Sequence, residues 1–265
     1  MMESNINQLL DTMAQLRDKE NGCPWDIEQS FNSLSSYTVE EAYEVVDAID
    51  KGDYQHLKEE LGDLLFQVVF YAQIASEQGL FNFNDIVNNI NDKMIERHPH
   101  VFDTNNQQKH SAIQMSKIWE QNKLRKRKKA DCKQYSSVLD DIPNNLPELL
   151  KAVKLTKRAA VIGFDWPSIE PVFTKMEEEI AELKEAMQMG VTARIKDELG
   201  DVLFVCTNLA RHLRLDPQLA LRHANNKFEK RFRAIESAAR NTYPKQDIYD
   251  LKTLEDLWIE VKKVE

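Results

Sequence analysis

The chain has 265 residues, a net charge of −9, only 7 glycines and 8 prolines, and a hydrophobic fraction of 42%. These values fit a globular protein of one or two domains and argue against a general nucleic-acid binder and against turn-rich β architecture, while suiting a protein that holds divalent cations. No apolar run approaches the roughly 18–20 residues of a membrane span, and the N-terminus lacks a basic segment followed by an apolar one. Helix-period apolar spacing predicts helices over 5–17, 38–50, 54–78, 84–97 and 111–124, then over 147–160, 169–189, 192–214, 217–240 and 253–263. No period-2 strand interrupts them. The basic, then polar, then proline-bearing stretch after residue 122 reads as a linker. The expected organisation is therefore all-α, with domains at 1–122 and 147–265 and a linker over 123–146. Cys23, Cys132 and Cys206 are odd in number and lack metal spacing, as expected of reduced thiols in a cytoplasmic protein.

The two halves echo each other. EELGDLLF at 59–66 and DELGDVLF at 197–204 agree at six of eight positions. EEAYE at 40–44 recurs as EEIAE at 178–182, at the same offset along the chain. GCPWD at 22–26 has a loose counterpart in GFDW at 163–166, NDKMIER at 91–97 in NNKFEKR at 225–231, and IWEQNK at 118–123 in LWIEVK at 257–262. Echoes in one order imply duplication of a whole helical-bundle domain, since the period is too long for a solenoid repeat.

The acids in these phrases lie on the apolar side of their helices. Glu41 and Glu44 share a face with Val45, Ala48 and Ile49, and Glu60 and Asp63 share one with Leu64, Gln67 and Val68. In the second copy Glu179 and Glu182 precede Leu183, Ala186 and Met187, and Glu198 and Asp201 precede Val202, Val205 and Cys206. A solvated acidic face would lie opposite the apolar stripe. Antiparallel packing of the two helices would converge four carboxylates, and such crowding is relieved by protonation or by cations. Hard oxygen donors at this spacing suit Mg²⁺ or Mn²⁺. A Thr38–Glu41 capping box is a structural explanation for part of the first pair. A di-iron bundle would need a Glu with a His three residues on, and the sequence has none.

Downstream of each acid set lie a basic pair and a tryptophan: Lys93, Arg97 and Trp119, then Lys227, Arg231 and Trp258. A Lys and an Arg one helical turn apart reach phosphate oxygens together, and an indole offers a platform for a base. The ligand that fits acids, bases and an aromatic in this order is a nucleoside polyphosphate held through metal ions. The His98-Pro99-His100 stretch reads as a helix stop, and KLRKRKK at 123–129 as a solvated helix end.

ExxE followed by ExxD, with K-x₃-R downstream, resembles the all-helical nucleoside triphosphate pyrophosphohydrolases. ENGCPWD at 20–26, YTVEEAYEV at 37–45, EELGDLLFQVVFYAQ at 59–73 and RHPHVF at 97–102 are similar to the two-domain MazG family in particular. The resemblance implies Mg²⁺-dependent hydrolysis of nucleoside triphosphates to monophosphate and pyrophosphate, broad base tolerance, a homodimer, and a role in nucleotide-pool housekeeping or stress. It implies that Glu179, Glu182, Glu198 and Asp201 ligate metal and act in catalysis, that Lys227 and Arg231 hold phosphates, and that Trp258 stacks on the base. Arg194 stands where the family usually has a lysine. Glu41, Glu44, Glu60 and Asp63, with Lys93, Arg97 and Trp119, form the second candidate set. The resemblance makes the C-terminal copy the principal catalyst. The first copy, whose FQVVFYAQI at 66–74 is apolar nearly all round, is expected to supply more of the dimer interface.

Overall fold

The computed structural model describes residues 5–102, 137–243 and 248–264, with 111, 114, 115, 118, 119 and 122 between them. Among these residues every regular element is helical and no strand occurs. The backbone divides into two compact units, Met1–His110 and Ser111–Glu265. Most of the expected linker, residues 123–136, falls outside the described residues, as does Cys132.

The first unit is built from α1 (Asn5–Leu16), α2 (Pro24–Glu28), α3 (Ser35–Lys51), α4 (Tyr54–Glu77), α5 (Phe83–Arg97) and the single turn α6 (Pro99–Phe102). Helices α3 and α4 form a hairpin, and α1 packs on α4. Gly52 closes α3 in the left-handed region (φ 68°), which a residue without Cβ adopts freely, and Asp53 then caps α4 by accepting from the Gln55 and His56 amides. Met13, Leu34, Val69, Phe70 and Ile74 form the buried core. Most of the apolar circumference of α4 is thus covered within the unit, with Val69, Phe70, Ala72, Ile74 and Ala75 buried and Val68 exposed. Arg17 seals one edge of this core. It lies 5.5 Å from the Phe70 ring centre and donates to both Glu77 carboxylate oxygens, at 2.8 and 2.7 Å.

The second unit contains α7 (Glu148–Val161), α8 (Glu170–Met189), α9 (Thr192–His212), α10 (Pro217–Thr242) and α11 (Leu251–Val264). Its α8–α9 hairpin repeats α3–α4, and α7 packs on α9 as α1 does on α4. Gly190, the counterpart of Gly52 in the repeat, closes α8 with the same left-handed conformation (φ 70°). Helix α11 packs along α10.

Two sequence-level expectations change. Thr38 lies inside α3, not at its N-cap; its hydroxyl bonds to the Leu34 carbonyl and pairs with the Tyr71 hydroxyl at 2.8 Å, so no capping box accounts for Glu41. The apolar stripe beside the acids also splits lengthwise. Ala48, Gln67, Ala186 and Val205 are buried, whereas Ile49, Val68, Met187 and Cys206 are exposed on the single chain.

Candidate metal and nucleotide site

In each hairpin the turn lays the two helices side by side along their lengths. One carboxylate oxygen each from Glu179, Glu182 and Glu198 then lies within 4.8 Å of the other two. In the first unit the same holds for Glu41, Glu60 and Asp63. The fourth member of each expected set is exposed, Asp201 one turn beyond Glu198 on α9 and Glu44 one turn beyond Glu41 on α3. Glu44 still interacts with Glu60.

The electrostatics follow from this crowding. Burial first, then the charges of Glu179 and Glu198, raises the Glu182 carboxyl above its ordinary range, against the pull of Lys175. In the first unit burial and then Asp63, Glu44 and Glu60 raise Glu41. Burial likewise raises Glu60, with His56 acting in the opposite direction. The three-carboxylate donor set fits a hard divalent cation. In the first unit Gln67 adds a buried amide oxygen without a hydrogen-bond partner among the described residues, one turn beyond Asp63 on the same stripe.

Cations distinguish the two clusters. Lys175, one turn before Glu179, reaches Glu178 at 2.7 Å and Glu179 at 2.8 Å, and these bonds raise its pKa. Arg194 lies 3.9 Å from Glu198. At the corresponding repeat positions the first unit has Tyr37 and His56, the latter 3.1 Å from Glu60. Lys175 is absent from the expected site residues, although a lysine four positions before Glu179 is the signal that points to it.

The basic pairs sit on α5 and α10. Lys93 and Lys227 are exposed, and Arg97 and Arg231 are half-buried. Trp258 on α11 packs against α10, with the Arg231 guanidinium 5.6 Å from its ring centre and the Phe228 ring also at 5.6 Å. Trp119 is half-buried. His98 caps the end of α5 before Pro99 opens α6, as expected of a helix stop.

The chain matches the model of the MazG nucleotide pyrophosphohydrolase domain twice, over residues 29–102 and 168–235. It is 48% identical to a nucleoside triphosphate pyrophosphohydrolase of Escherichia coli K12 over 264 residues, which cover 99% of this chain and 98% of the relative. It is 39% identical over 264 residues to the nucleoside triphosphate pyrophosphohydrolase/pyrophosphatase MazG of Thermotoga maritima, with the same coverage of 99% and 98%. Against the uncharacterised Bacillus subtilis protein YabN it is 39% identical over 246 residues, covering 92% of this chain and 49% of that one. Each matched segment contains one of the two acidic hairpins. The chain belongs to the MazG nucleotide pyrophosphohydrolase family and carries the family's domain in duplicate.

Proposed function

We propose that the chain hydrolyses nucleoside triphosphates, ribose or deoxyribose, at the α–β anhydride to the monophosphate and pyrophosphate. The reaction depends on Mg²⁺, with Mn²⁺ as a substitute, and tolerates different bases. The observation that carries this reading is the convergence of Glu179, Glu182 and Glu198 within 4.8 Å across the α8–α9 turn. The names of the two relatives matched over almost their full length support it.

In this reading Glu179, Glu182 and Glu198, with Asp201 one turn further on, hold the cation. When bound, it neutralises polyphosphate charge and lowers the pKa of a water. The remaining chemistry belongs to side chains of the chain itself. Lys227 and Arg231 hold the phosphates and stabilise charge on the departing pyrophosphate. Trp258, covering the Arg231 guanidinium, fixes that fork in place. Arg194 adds positive charge at the mouth of the acid cluster. One carboxylate serves as the general base toward water.

The second unit is the principal catalyst. Its cluster is flanked by Lys175 and Arg194, whereas the first unit presents Tyr37 and His56. The active form is a homodimer working in the cytoplasm on the nucleotide pool. The exposed stripes Leu61, Leu65 and Val68 on α4, and Leu199 and Leu203 on α9, support self-association.

The test is pyrophosphate release from a panel of nucleoside triphosphates with Mg²⁺ and with EDTA. Mg²⁺-dependent release, abolished by Glu182→Gln or Asp201→Asn, is expected. Release that survives these changes but is lost with Glu44→Gln or Asp63→Asn would move catalysis to the first unit. No release from any nucleotide would leave a binding module in place of an enzyme.

A further inference from the structure

The two acidic hairpins differ by one amine. In the second unit the Lys175 ammonium lies 2.8 Å from Glu179, carried there from one turn before by its four-carbon stem. The corresponding residue of the first unit is Tyr37. Among the described residues no lysine or arginine forms an ion pair with Glu41, Glu60 or Asp63. His56 lies 3.1 Å from Glu60 but bears a full charge only when protonated. We propose that the first unit's hairpin binds a free aliphatic polyammonium ligand, a diamine or longer polyamine with four-carbon spacing. Such a ligand supplies from solution the ammonium that Lys175 supplies from within the second unit. A site of this kind goes beyond hydrolysis and stands whether or not the second unit turns over nucleotide.

A buried acceptor in the first unit calls for a donor. Gln67 is 7% exposed, and its amide oxygen has no hydrogen-bond partner among the described residues. Glu60, Asp63 and Gln67 follow one another at helical spacing on one stripe of α4. A buried polar group left unpaired is costly. An ammonium carries three donors, enough for two carboxylates and this amide. The corresponding residue of the second unit is Val205, which needs no donor. The unit that lacks the built-in amine thus keeps a vacant acceptor, and the unit that has the amine does without one.

A second ammonium also finds a seat. Tyr37 stands one turn before Glu41 on α3. Trp25 of α2 meets it edge to face, with ring centres 5.9 Å apart and planes at 78°. Trp25 is 50% and Tyr37 39% exposed, so ring surface is open to solvent. Aromatic faces attract ammonium groups through the ring quadrupole. The interval from Tyr37 to Glu41 is the one that the four-carbon stem of Lys175 spans in the other unit. A four-carbon diamine therefore reaches from the rings to the carboxylates. A hard divalent cation, held through oxygen donors, makes no use of the aromatic pair.

The experiment is calorimetric titration of the full chain with 1,4-diaminobutane in EDTA, at about 0.15 M salt, where attraction between exposed charges is screened. Saturation at one equivalent per chain is expected. Ethylenediamine should bind about ten-fold more weakly, because its shorter spacer does not bridge rings and acids. Tyr37→Lys, which builds the second unit's amine into the first, should weaken diamine binding by about ten-fold. Gln67→Val, which installs the second unit's residue, should weaken it several-fold. Absence of saturable binding, equal affinity for the two diamines, or binding untouched by Tyr37→Lys overturns the proposal. Two equivalents per chain also overturn it, since Lys175 should keep the diamine out of the second hairpin. Should Tyr37→Lys fail to fold, Gln67→Val decides: a variant that melts like wild type and binds like it refutes the assignment. Mg²⁺ binding that is tighter than diamine binding and indifferent to Tyr37→Lys marks a metal site and refutes it as well.

Discussion

Lys175 Nζ lies 2.8 Å from the Glu179 carboxylate, one helical turn away, and so inserts a positive charge into the second unit's acidic cluster. Glu179 is 5% exposed, so this contact matters more to it than a surface pair would. Lys175→Met is expected to destabilise the chain in EDTA by about 0.5–1 kcal/mol, the upper range for a partly exposed pair. The stabilisation on adding Mg²⁺ should increase, because the cation then has more repulsion to relieve. Thermal melts of both proteins, with EDTA and across a Mg²⁺ titration, check this.

The raised carboxyl of Glu182 fixes the sign of a pH effect. Burial and neighbouring Glu179 and Glu198 lift it above its usual 4.5, so the folded state favours its protonated form. Its favourable contribution to stability is complete below pH 4.5 and is lost as pH rises through the raised value. In EDTA, Glu182→Gln should therefore gain stability over wild type as pH rises from that point toward neutrality. Mg²⁺ should close the gap by stabilising wild type alone. Melting temperatures at a series of pH values give the difference directly.

Phe70 anchors the first unit's core between Trp25, Phe66 and Arg17. Phe70→Ala removes a ring that has no room to be replaced by solvent, and should cost about 3–5 kcal/mol. Urea unfolding followed by far-UV circular dichroism measures it. The first unit's transition should shift while the second unit's transition stays in place.

The exposed stripes of α4 and α9 test self-association. Leu61 and Leu65 are 50% and 42% exposed, and Leu199 and Leu203 are 48% and 52% exposed. Light scattering should report twice the chain mass for wild type. Replacing either leucine pair with Asp should shift that value toward a single chain, because a charge buried at an apolar contact without a partner is strongly unfavourable.

Much of the fold is legible in local pattern. Helices expected over 54–78 and 192–214 appear as Tyr54–Glu77 and Thr192–His212, because apolar periodicity and an Asp or Gly at the turns act within a few residues. The clustering of the acids is legible for the same reason: Glu179 and Glu182 share a face by spacing alone. Thr38 shows the limit of that logic, since its hydroxyl is claimed by Leu34 and by the distant Tyr71 rather than by a cap.

By itself the sequence determined the long helices of the two hairpins, the duplication and the pairing of acids along them, since each depends on neighbours within a turn or on direct repetition of residues. Only tertiary structure decided which edge of each apolar stripe is covered and where Lys175 places its charge. Those outcomes depend on volumes and distances between side chains of different helices, which spacing along one helix does not fix.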